Sequence, residues 1–88
     1  MVKQKTVAEY LAQTKKILEP ITETPRLEAE LLLAFALGVK RSSLLARLQE
    51  PVETAQAEVL LARRLNHEPL AYIFGEWEFF GLLFHVQT

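Results

Sequence analysis

The sequence predicts an all-α fold: a small bundle of four to five helices followed by a short C-terminal β-hairpin linker. Three observations carry this expectation. Apolar residues recur at helical spacing from Val7 to about Phe74. Start and stop signals punctuate that run at Thr6, Pro20, Thr24-Pro25, Gly38, Pro51 and Pro69. After Gly75 the pattern changes to strand-like alternation: Trp77 and Phe79 alternate with Glu76, Glu78 and Phe80, and Leu82, Phe84 and Val86 with Leu83 and His85, with Gly81 in the turn. An isolated hairpin is marginal in water, so this one is expected to lie against a neighbouring surface. Residues 1–74 then form a helical domain and residues 75–88 a linker to a further domain downstream.

Thr6 to Glu9 fits a capping box, a hydroxyl at the cap with a carboxylate at the third helical position. Val7, Tyr10, Leu11, Thr14, Ile17 and Leu18 then share one face, and Pro20 ends the first helix. Thr24-Pro25 starts the second, with a capping hydroxyl and a proline where the missing N–H costs nothing. Leu27, Leu31, Ala34 and Phe35 mark one face of that helix, and Leu32, Leu33, Ala36 and Leu37 cover most of the rest. A helix apolar nearly all round belongs at the centre of a bundle, with Leu31 and Phe35 expected in its core. Gly38 is placed to close it in a left-handed C-terminal cap.

Ser42 and Ser43 are expected to cap a short third helix, with Leu44, Leu45 and Leu48 inward. A fourth helix runs to about Leu65, its apolar surface supplied by Val59, Leu60, Leu61, Ala62 and Leu65. Asn66 suits a left-handed cap, and Glu68-Pro69 prevents continuation. Leu70 to Phe74 reads as a further one-turn helix, with a strand as the alternative.

Composition excludes several classes of function. Ten Lys and Arg against eleven Glu, with no Asp, leave a net charge of −1 and no basic footprint for nucleic acid. No Cys is present, which excludes disulfides and thiolate chemistry and permits a cytoplasmic location. No apolar run approaches the roughly 20 residues of a membrane span. A monomer with neither nucleic-acid nor membrane partners is the expectation.

Nothing in the chain reads as an active site. His67 and His85 lie in different elements and neither has a Cys or Asp neighbour, so no metal site is expected. Gly75 and Gly81 match no phosphate-cradling loop. Glu28 and Glu30 fall on different faces of their helix, while Glu76 and Glu78 share one strand face, read as a solvated edge. The stretch from Ala34 to Leu48 resembles a helix-turn-helix, with Gly38 in the turn and Val39 buried beneath it. That motif is weakly specific, and Glu28, Glu30, Glu50 and Glu53 dilute the basic face a DNA reader needs.

Candidate contact residues cluster instead from Arg63 onward. Arg63 and Arg64 complement the dipole at a helix C-terminus and can pair with Glu68 or Glu58; the functional alternative is docking of a partner or of the next domain. Tyr72, Phe74, Trp77, Phe79, Phe80 and Phe84 form an aromatic cluster too large for its local chain. Tyr72 and Phe74 are expected inward, and the hairpin aromatics against a neighbouring domain. Arg63, Arg64, Glu68, Tyr72, Trp77, Phe79 and Phe80 are the partner or interdomain contact candidates.

The segment from Arg63 to Val86, which combines the Arg pair, Glu68-Pro69, Tyr72, Gly75, Phe79 and Gly81 in one spacing, resembles the linker signature of the HemK/PrmC family. These are S-adenosylmethionine-dependent methyltransferases that modify a glutamine in peptide-chain release factors. Thr24 to Leu33 is similar to the start of that family's second helix. One departure is His67, where the family usually has Gly before Glu-Pro. The resemblance implies an N-terminal helical domain that helps hold the release factor, a hairpin linker, then a Rossmann-like domain carrying the cofactor and the catalytic Asn-Pro-Pro-Tyr motif. This stretch alone would then be inactive. The competing reading is a free-standing helical interaction or helix-turn-helix DNA-binding module.

Overall fold

The computed structural model describes residues 4–75. Four helices are α1 (Val7–Leu18), α2 (Pro25–Leu37), α3 (Arg41–Leu45) and α4 (Ala55–Leu65), and a fifth, α5, occupies residues 70–75. The expected hairpin, with Trp77, Phe79 and Phe80, lies outside the described residues.

Helix α1 begins on the capping box read from the sequence. The Thr6 hydroxyl accepts from the Glu9 N–H at 3.1 Å, and the Glu9 carboxylate accepts from the Thr6 N–H at 2.9 Å. The remaining first-turn donors are met by the loop between α3 and α4: Val7 N–H donates to the Glu50 carbonyl at 3.0 Å and Ala8 N–H to Leu48 at 2.9 Å. Val52 N–H donates back to the Lys5 carbonyl at 2.8 Å, and Thr6 and Pro51 form an antiparallel bridge. The helix start is thereby stitched to a distant loop, a contact no local pattern predicts.

Helix α2 is central and packs on α1, α3 and α4, as its apolar circumference requires. Its inward set differs from the expected one. Ala29, Leu32, Leu33 and Ala34 are buried, whereas Leu31 is half-buried and Leu27 exposed. Pro25 occupies the first helical position, yet Thr24 makes no side-chain cap; the hydroxyl of Thr22 instead accepts from the Thr24 N–H at 3.1 Å. Gly38 closes the helix at φ 71°, the left-handed cap its position implied.

The core joins Val7, Tyr10, Leu11 and Leu18 of α1 to Leu32, Leu33, Leu44, Leu60, Leu61 and Ile73. Ile17 stands outside it, exposed. In α4, Ala57, Leu60 and Leu61 face inward while Val59, Ala62 and Leu65 face out. Helix α3 begins after Lys40, so Ser42 and Ser43 lie within it and do not cap it. Val39 is 40% exposed and α3 has 5 residues. The helix-turn-helix reading fails on both counts, for that motif needs a buried turn residue and a helix long enough to enter a groove.

The short α5 matches the one-turn helix expected for Leu70 to Phe74, not the strand alternative. Pro69 precedes it, and its carbonyl accepts from the Tyr72 and Ile73 amides at 3.1 and 3.0 Å. Ile73 is fully buried, and the Phe74 ring stacks on Phe35 with centroids 4.4 Å apart. Tyr72 is 57% exposed. It was expected inward; the helical turn sends Ile73 into the core, so its neighbour must point away.

Candidate interaction site

The two adjacent arginines at the end of α4 do different work. Arg64 reaches across the bundle to Glu28 on α2, 36 positions away, with Nε 2.8 Å from Oε1 and Nη2 3.4 Å from Oε2. The Thr22 hydroxyl donates to Glu28 Oε2 at 2.8 Å. Both side chains are largely buried, so the pair survives only because the carboxylate is met by several donors. Arg64 thus holds α4 onto the start of α2.

Arg63 faces the turn that follows. Its Nη2 and Nε both approach Glu68 Oε1, at 2.6 and 3.0 Å, and its guanidinium carbon lies 5.7 Å from the centroid of the Tyr72 ring. The side chain therefore bridges α4, the turn and α5 by charge and cation–π attraction. Of the partners weighed from the sequence, Glu68 is the one Arg63 takes, while Glu58 approaches Lys5 at 3.8 Å.

The turn itself differs from expectation. Asn66 has φ −87°, and His67 takes the left-handed conformation at φ 69°. The chain direction from α4 into Glu68-Pro69 depends on this one residue. Glycine enters that region freely, whereas an L side chain is strained there.

A second ion cluster was missed by sequence reasoning. Glu30, on α2, is 6% exposed, and each of its oxygens takes one guanidinium: Arg26 Nε lies 2.6 Å from Oε2 and Arg41 Nε 2.7 Å from Oε1. Burial pushes the Glu30 carboxyl up, but the hydrogen bonds and charges of Arg26 and Arg41 outweigh it and hold it below the ordinary carboxylate range. The spacing of Arg26 and Glu30, one helical turn, was a readable signal; the Arg41 partner was not.

Tyr10 is the other buried polar group of note. Its hydroxyl has no hydrogen-bond partner among the described residues. Burial chiefly pushes its pKa up to about 12, and the Glu58 charge adds to the rise.

Among the described residues, no group of three or more His, Asp or Glu side chains could hold a metal ion, and no helix is long and apolar enough to cross a membrane.

The described residues form a small helical domain. The chain belongs to the family of the PrmC N-terminal domain, whose sequence profile matches residues 9–75. The release factor glutamine methyltransferase of Geobacter sulfurreducens is 42% identical over 85 residues, covering 92% of this chain and 30% of that protein. That of Nitratidesulfovibrio vulgaris is 45% identical over 68 residues, 74% of this chain and 23% of that protein. That of Coxiella burnetii is 38% identical over 80 residues, 88% and 29% respectively. The chain thus spans less than a third of the length of these relatives. No solved structure matches it.

Proposed function

We propose that this chain is the substrate-recognition domain of an S-adenosylmethionine-dependent methyltransferase that modifies the glutamine of the Gly-Gly-Gln motif in peptide-chain release factors. The observation that carries this reading is the family match over residues 9–75, together with relatives named release factor glutamine methyltransferase at 38% and 42% identity. Residues 1–74 serve as the recognition body and 75–88 as the linker to a Rossmann-like domain that binds the cofactor. The cytoplasm is where such a substrate is made and used, and a monomer suffices for the task.

A helical body can assist a distant reaction by fixing the approach of its substrate. Positioning of this kind lowers a barrier without any group on the body touching the reacting atoms. Here the Arg64–Glu28 pair ties α4 to the start of α2, whose buried face packs in the core. Arg63, Glu68 and Tyr72 sit where α4 hands over to α5 and to the residues beyond. They are the contact candidates on the interdomain side, continued in sequence by Trp77, Phe79 and Phe80.

Calorimetry on this chain checks both halves of the proposal. A bacterial release factor is expected to bind it, and S-adenosylmethionine is expected to give no heat of binding. A release factor that ignores the chain would remove the recognition role, and cofactor binding by the chain alone would overturn the division of labour.

A further inference from the structure

The corner where α2 meets α3 carries an arrangement that the junction around Arg63 does not use. Arg26 and Arg41 each commit Nε to the buried Glu30 carboxylate and leave their terminal amino groups without a partner among the described residues. Their side chains are 47% and 49% exposed. Glu30 therefore acts as an anchor. It holds two cationic forks no further apart than two hydrogen bonds and the width of one carboxylate. Long side chains fixed in advance lose little entropy when a ligand arrives, and the guanidinium fork matches a carboxylate.

Farther along the same face of α2 comes Leu37, which opens onto an apolar cleft of about 100 Å³ with Val39, Leu44, Arg47, Pro51 and Val52. Leu44 and Val52 form its buried floor, while Leu37 and Val39 are exposed at its mouth. Space of this order suits one aliphatic side chain. Arg47 at the rim, and Lys40, which follows Val39 in the chain, join no ion pair among the described residues. Glu50 is the carboxylate lining the cleft. Clamp and cleft are separated along α2 by about 10 Å, a distance an extended chain covers in about three residues.

We infer that this corner docks an extended acidic segment of a protein partner, with a carboxylate on the Arg26–Arg41 clamp and an aliphatic side chain in the Leu37–Val39 cleft. Surplus cations with free donors ask for negative charge, and the adjoining cleft asks for an apolar anchor that a phosphodiester backbone lacks. The inference rests on the proposed function in taking that partner to be the release factor.

The test is a magnetic resonance titration of the 88-residue chain with the peptide acetyl-Glu-Glu-Ser-Ser-Leu-Glu-amide. Shifts are expected at Leu37, Val39 and Ser43 and at the Nε–H groups of Arg26 and Arg41. Arg47→Glu and Val39→Glu alter exposed side chains and leave Glu30 paired, so thermal unfolding should stay near the parent value. Each is expected to weaken peptide binding roughly five- to tenfold. Arg41→Lys keeps a cation beside Glu30 but loses the fork, and should weaken binding as well. An absence of shifts, shifts centred on Arg63 and Tyr72, or stronger binding of an oligouridylate would overturn the inference. A release factor that binds Arg47→Glu as tightly as the parent would also sink it while leaving the proposed function standing. Peptide binding at this corner with no release-factor binding would do the reverse.

Discussion

His67 is the residue on which the exit from α4 turns. It holds φ at 69°, where a side chain is opposed by its own Cβ. The left-handed region costs an L-residue roughly 1–2 kcal/mol, part of which glycine gives back through its freer unfolded chain. His67→Gly is therefore expected to stabilise the domain by about 0.5–1 kcal/mol, read as a higher denaturant midpoint at unchanged slope. From the residues alone, Asn66 was the better candidate for the left-handed position. The two differ because cap geometry is decided by which carbonyls of the last turn the following amides reach. Here Asn66, His67 and Glu68 N–H donate to Ala62, Arg64 and Arg63 carbonyls respectively.

At the scale of elements, α2 shows how far an apolar pattern reaches. A helix with leucines nearly all round is legible as central, and it is. Which leucines bury most deeply is not legible, because the pattern gives no phase when every face is apolar. Contacts with α1, α3 and α4 choose Leu32 and Leu33 over Leu27 and Leu31. Leu33→Ala should cost roughly 2–5 kcal/mol of stability, and Leu31→Ala clearly less, in chemical denaturation of the two variants side by side. An equal loss would place the core where the sequence alone put it. Ile17 has a different cause: grouped with Leu18 on one face, it lies at the flank of the α1 stripe and is left in solvent. In α5 the helix itself was expected, but its rotation follows from the stacking of Phe74 on Phe35, which leaves Tyr72 outside.

Across the whole molecule, ion pairs between elements close the bundle. Glu28 ties α2 to α4, and Glu30 ties α2 to α3. The Glu30 carboxyl is held below its ordinary value in the folded chain. A depressed folded pKa means that its contribution to stability is present above the unfolded glutamate value and is lost as pH falls through the folded one. The thermal midpoint should drop on acidification below about pH 4, and the difference between the parent and Glu30→Gln should shrink over the same window. A difference constant between neutral and acid pH would show that the carboxylate charge contributes nothing there.

Much of this protein is local and so could be read from order alone: the capping box at Thr6, the proline starts and stops, the glycine cap at Gly38 and the short helix after Pro69 each depend on neighbours a few residues away. The family signature was legible for the same reason, being a fixed spacing of residues. What tertiary structure decided is long-range. The Arg64–Glu28 pair, the Glu30–Arg41 half of the clamp and the loop that caps α1 through Glu50 and Leu48 join residues that spacing cannot associate. A charge on a helix looks solvated until another element arrives to cover it, and only packing determines which element arrives.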